Sequence, residues 1–156
     1  MGTTETGDSD EQFAAFAAEV GPQLRRAFVG VRGFDGAEDA VAEALAFAWE
    51  HWDEVQSMEN PAGYLYRVGR SRTKPRRRVG LRLPDAAGIP DVEPALVPAL
   101  LTLPLKQRTA VWLVHGCGWP YAEVADAMGT STTMVGNHVS RALAKLRHAL
   151  KVGRDG

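Results

Sequence analysis

Three groups of side chains in this 156-residue chain have types and spacing that could do chemistry. The first is cationic. Arg67, Arg70, Arg72, Lys74, Arg76, Arg77, Arg78 and Arg82 stand between Tyr64 and Arg82 with no acid among them. Cations at that density track a run of phosphates. A solvated basic tail is the bland alternative. The second group is acidic: Asp39, Glu43 and Glu50 fall around Phe47, opposite an apolar stripe. An aromatic ring framed by carboxylates is a protein-docking face, and the same pattern also fits a solvated acidic surface with one stray aromatic.

The third group lies in Trp119-Pro-Tyr-Ala-Glu-Val-Ala-Asp-Ala-Met-Gly-Thr-Ser-Thr-Thr-Met-Val-Gly-Asn-His-Val-Ser140. Val124 and Met128 give one helix an inner face, and Ala125 is small where a second helix crosses. Gly129 suits a left-handed turn, and Ser131 suits an N-cap. Val135 and Val139 then bury one side of the second helix. Thr132, Thr133, Gly136, Asn137, His138 and Arg141 fall near its start and outer side, where such helices reach base edges and phosphates. Lys145, Arg147 and Lys151 extend the positive surface. A plain helical hairpin shares this pattern.

Nothing comparable points to catalysis. No nucleophile–base pair or phosphate-binding loop appears, and His115, His138 and His148 lack carboxylate support at helical spacing. Cys117 stands alone between two glycines and reads as a turn residue. The expectation is a non-enzyme with no catalytic residue, no metal and no cofactor.

Charge distribution narrows the partners. Eighteen Lys and Arg against 19 Asp and Glu give a formal net charge of −1. That sum conceals two opposite halves. Residues 1–60 hold 13 acids and only Arg25, Arg26 and Arg32 as bases, whereas residues 61–156 hold 15 bases and six acids. One part should meet a polyanion and the other something different. No apolar run reaches the roughly 20 residues that span a bilayer, and the acidic start lacks the plan of a signal peptide, so a cytoplasmic protein without membrane insertion is expected.

The elements that must hold these groups are helical. Phe13, Phe16, Ala17, Val20, Leu24, Ala27, Phe28 and Val31 recur at three- and four-residue steps, with Pro22 as an interruption or kink. Gly30, Gly33 and Gly36 predict a loop, followed by a helix from about Ala37. On that helix Val41, Ala44, Leu45, Ala48, Trp49 and Trp52 share the core side. Pro61 fits the first turn of a third segment, which Pro75 should end. Five prolines and glycines between Val79 and Pro98 predict a linker. Helices near 99–102, 104–115, 120–128 and 132–150 follow. The fold class is all-α: two small helical domains, the second a helix-turn-helix, joined by a Pro-rich tether.

In this order the motifs resemble the extracytoplasmic-function group of sigma factors of bacterial RNA polymerase, which keep regions two and four. Ala37 to Asp53 is similar to the polymerase-binding helix of that family, and Asn60-Pro-Ala-Gly-Tyr-Leu-Tyr-Arg-Val-Gly-Arg70 to its minus-ten segment. Leu103-Pro104, Gln107-Arg108, Gly118 and Tyr121-Ala-Glu-Val-Ala125 resemble the opening of region four. The resemblance implies a disordered tail over 1–10, region two over 11–78, a linker over 79–97 and region four over 98–151. It implies that Asp39, Glu43, Phe47 and Glu50 dock on the clamp of the polymerase's largest subunit. Asn60, Tyr64, Arg67, Arg70, Arg72, Lys74, Arg76, Arg77 and Arg78 would face the minus-ten strand. Thr132, Thr133, Gly136, Asn137, His138, Arg141 and Lys145 would face the minus-35 duplex. Core polymerase and promoter DNA are the implied partners, and an anti-sigma factor is admitted as a further one. The chain departs from the family pattern at Ala40, Ala42, Ser71, Pro75, Gly136 and His138, the last two removing cations from the reading helix. A free-standing helix-turn-helix regulator that ignores polymerase is the rival reading.

Overall fold

The computed structural model describes residues 3–73 and 95–155, and all elements among them are helical. Helix α1 runs Thr3–Glu50 and breaks at Gly33, whose φ of 81° and ψ of 178° lie outside the range that β-carbon-bearing residues adopt readily. The loop expected across Gly30, Gly33 and Gly36 is thus confined to one residue. The break turns the chain so that two helices of one element pack against common neighbours. Residues expected as a disordered acidic tail are helical from Thr3 onward. Gln12 Nε2 donates to Asp8 Oδ2 at 3.2 Å, one turn apart.

Helix α2, Trp52–Val55, is a single turn, and α3 spans Pro61–Arg72. Asn60 caps α3: its Oδ1 accepts the Gly63 N–H at 3.3 Å, and Pro61 fills the first helical position, where the missing N–H does no harm. Helix α3 lies on α1 along a stripe of small residues. Ala37, Ala40, Ala44 and Ala48 are fully buried, and α3 offers Ala62, Gly63, Leu65, Tyr66 and Gly69. The crossing is tight: a β-carbon on Gly69 would stand 2.7 Å from the Ala40 carbonyl oxygen. Ala40, one of the departures from the family pattern, is therefore a packing residue that lets α3 approach. Phe28 stacks on Tyr66 beneath this crossing, ring centres 4.5 Å apart.

The tryptophans differ from expectation. Trp49 is 48% exposed and only Trp52 is half-buried. Both serve as a rim, edge-on to Phe13 at 5.0 and 5.3 Å. Trp49 follows buried Ala48 directly, and one residue on a helix of about 3.6 residues per turn is more than a quarter turn, which carries Trp49 out of the alanine stripe.

The second half contains α4, Leu96–Leu101; α5, Leu105–Val111, continued as a wider π turn over Trp112–Gly116; α6, Tyr121–Met128; and α7, Thr132–Asp155. Leu100, Leu103, Ala110, Val111, Leu113, Val124, Ala127, Val135, Val139, Ala142 and Leu146 make its core. Most of the expected linker lies outside the described residues, and α4 begins inside its last positions. The two halves are in contact, which the pattern of a tether between separate domains did not foretell. Trp112 and Arg108 of the second half reach α1, and Tyr66 of the first meets Trp119 edge-on at 5.6 Å.

Candidate nucleic-acid interface

Helices α6 and α7 form a helix-turn-helix whose turn follows from three residues. Gly129 takes the left-handed conformation at φ 67°, ψ 40°, so its N–H and that of Thr130 bend back onto the carbonyls at the end of α6. Ser131 Oγ accepts the Met134 N–H at 3.1 Å and starts α7. Val124, Ala125, Val135 and Val139 are buried between the helices. This leaves Thr132, Thr133, Asn137, Arg141 and Lys145 exposed on α7, with Gly136 half-exposed among them. Gly136 has room for more: a β-carbon there would meet only Tyr121 Cε1, at 3.9 Å. His138 lies apart from this set. It is half-buried, its Nδ1 has no hydrogen-bond partner, and it lines a cavity toward the first half.

On α3, Tyr64, Arg67 and Arg72 are exposed on one surface. Arg70 is half-buried, and its carbonyl accepts Arg32 Nη2 at 3.2 Å while Arg32 Nη1 donates to Thr73 Oγ1. Burial lowers the Arg32 pKa, with Tyr66 opposing and Arg70 adding to the effect. Asn60 is occupied as the cap of α3. Lys74, Arg76, Arg77 and Arg78 lie outside the described residues.

The acidic helix carries exposed Asp39, Glu43 and Glu50. Phe47 is not a free anchor among them. It is half-buried, stacks on His51 with centres 4.0 Å apart, lies 5.9 Å from Tyr64 and has the Arg72 guanidinium 5.0 Å above it. The ring therefore links the acidic helix to the basic one, a contact that one-dimensional spacing does not register.

Sequence reasoning missed the join between the halves. The Trp112 indole is 2% exposed and donates Nε1–H to the Arg26 carbonyl at 2.9 Å. Arg26 Nε returns a hydrogen bond to the Gly116 carbonyl at 3.0 Å, and Arg108 Nη1 reaches the Val31 carbonyl at 2.7 Å. These charge-assisted bonds satisfy carbonyls on both sides of the contact. Tyr66 is buried and Cys117 half-buried at the same join, and desolvation pushes each pKa up to about 12. The signal that could have found the join is Gly30, a glycine inside an amphipathic helical pattern that has no turn to make.

Residues 95–146 match the family described as sigma-70, region 4. The structure resembles that of the sigma factor RpoE in complex with the anti-sigma factor NepR from Bartonella quintana. That likeness has a TM-score of 0.72 at 24% identity, over 91% of this chain and 98% of the other. It also resembles CnrH in complex with the cytosolic domain of CnrY, with a TM-score of 0.61 at 26% identity, over 91% and 87%. The fold is all-helical among the described residues, and residues 95–146 carry the sigma-70 region 4 match. In sequence the chain is 28% identical to the ECF RNA polymerase sigma factor SigG of Mycobacterium tuberculosis over 89% of its own length and 50% of the relative's, and so spans about half of that protein. Over most of its length the chain is thus similar to an extracytoplasmic-function sigma factor.

Proposed function

We propose that this chain directs bacterial RNA polymerase to promoters and starts transcription, as a sigma factor with no chemistry of its own. The observation that carries this reading is the coexistence, in one chain, of a region-four helix-turn-helix with an exposed reading face and a preceding helix pair that is acidic on α1 and basic on α3. A stand-alone duplex-binding regulator has use for the first and none for the second.

In this reading Asp39, Glu43 and Glu50 meet the clamp of the largest subunit of core polymerase. Their charges steer the encounter, and the ring of Phe47 sits at the border between that face and α3. Tyr64 presents a plane on which an unpaired base of the minus-ten strand stacks, while Arg67 and Arg72, with Lys74 and Arg76 to Arg78, follow its phosphates. Thr132, Thr133, Asn137, Arg141 and Lys145 enter the major groove at the minus-35 element. Binding at two sites joined by a tether makes the second contact intramolecular. No ATPase loop is needed, because strand capture within the polymerase complex supplies the free energy of opening. The cytoplasm is the compartment where polymerase and promoter meet. The anti-sigma complexes of the two structural relatives support an anti-sigma factor as a further partner.

The test is co-purification of the full chain with core polymerase, followed by binding of fork DNA to the assembled complex. Stable association and fork binding are expected. Duplex binding by the chain alone, with no affinity for polymerase, would favour the regulator.

A further inference from the structure

Phe47 lies where the acidic and basic helices meet, and three contacts define what its ring can do. His51, four residues on, stacks on it nearly parallel, with centres 4.0 Å apart and planes 17° from one another. Tyr64, in the first turn of α3, leans against it at 5.9 Å and 49°. The guanidinium of Arg72, the last residue of α3, stands over the ring 5.0 Å from its centre. The ring itself is half-buried, whereas Arg72 is exposed and Tyr64 is 40% exposed.

Tyr64 and Arg72 are eight residues apart, roughly 12 Å along the axis of α3. An exposed arginine with nothing to lean on samples many rotamers, and ordering it when a ligand binds lowers affinity. Phe47 removes part of that loss. A cation–π contact engages the guanidinium through the electron-rich face of the ring and consumes none of its five N–H donors. Among the described residues no ion pair engages Arg72. Its donors therefore remain open to the paired oxygens of a phosphate, and the guanidinium is held on the same ring that Tyr64 touches.

We infer that Phe47 is a positioning residue for strand capture: its ring, backed by His51, pre-orders Arg72 for a phosphate of single-stranded DNA beside the stacking plane of Tyr64. Phe47 touches no DNA, and its contribution is preorganisation. The assignment of α3 to the captured strand rests on the promoter-factor reading, whereas the contact between Phe47 and Arg72 does not.

The experiment uses the full chain and a mixed-sequence single-stranded DNA oligonucleotide, with binding read by anisotropy. Four proteins form a cycle: the parent, Phe47→Leu, Arg72→Ala and the two combined. Phe47→Leu is expected to weaken binding about two- to fivefold, the equivalent of one cation–π contact. In the Arg72→Ala background the same substitution should change little, because the cation it positions is gone. Phe47→Tyr, which keeps an aromatic ring, should bind as the parent does. Circular dichroism reports retained helix, and should Phe47→Leu lose it, Phe47→Met completes the cycle with an unbranched side chain that lacks a ring. A merely structural role for Phe47 predicts equal weakening in both backgrounds, and that result overturns the inference. Parent-like binding by the folded Phe47 variant without a ring overturns it too, as does parent-like binding by Arg72→Ala. Failure of the promoter-factor reading shows elsewhere, as absence of association with core polymerase whatever the cycle reports.

Discussion

Gly136 is the position where the reading helix is weakest, and replacing it by lysine gives opposite results under different accounts of α7. Glycine inside a helix is less favourable than alanine by about 0.8–1 kcal/mol, and lysine is nearly as good as alanine. The gain is realised only if the side chain fits. At 3.9 Å from Tyr121 Cε1 a new β-carbon makes an ordinary van der Waals contact, and the site is only half-buried, so the ammonium group reaches solvent. Gly136→Lys should therefore stabilise the chain by about 0.7 kcal/mol, which raises the melting midpoint by roughly 2 °C for a chain of this size. On duplex DNA the added cation should contact one more phosphate, steepening the dependence of log K on log salt by about 0.9. Gly136→Ala separates the two effects, sharing the thermal gain without the change in slope. Melting curves and anisotropy titrations at several salt concentrations read both quantities. A lowered midpoint would refute the placement of Gly136 on an open helix face. Equal slopes for the lysine and alanine variants would mean that this face does not meet DNA.

Further outcomes follow from other contacts. Gly69→Ala pushes a methyl against the Ala40 carbonyl, a fixed backbone atom, and should lower stability by about 1–3 kcal/mol in a denaturant titration. Alkaline stability should fall as pH rises from about 9 to about 12. Tyr66 and Cys117 have ordinary values of 10.0 and 9.0 and are raised to about 12 in the folded chain, so folding favours their protonated forms and that contribution disappears as pH passes through the window. Cys117→Ala should remove the part that begins near 9, read as a smaller drop in melting midpoint across it. Glu43→Lys with Phe47→Lys should weaken association with core polymerase, measured by gel filtration, and leave duplex binding by α7 unchanged.

How much of this was legible in the sequence depends on whether neighbours in the chain or neighbours in space decide. The helix-turn-helix was readable because Gly129, Ser131, Val124 and Val135 each act within a few residues of themselves. The cap at Asn60 and the start of α3 at Pro61 are local in the same sense. Helical periodicity located α1 and α3, and the family resemblance singled out Ala40 as reduced, but the reason for the reduction is Gly69 on another element. The side assigned to Trp49 failed because the buried stripe is built from alanines, which weigh little in a hydrophobic pattern. Gly30 was grouped with Gly33 and Gly36 as loop punctuation, although only Gly33 has a positive φ among the three. Gly30 answers instead to Trp112, 82 positions away in the chain. The inward position of His138 has the same origin: it follows from how the halves meet, which no local spacing encodes.

The central claim is that the acidic helix, the basic helix and the reading helix serve one act, polymerase-dependent promoter opening. Run-off transcription by core polymerase on promoter fragments selected from genomic DNA, with and without the full chain, tests this most directly. The account predicts discrete transcripts that appear only when the chain is present. Selected fragments that bind the chain tightly and yield no chain-dependent transcript would contradict it.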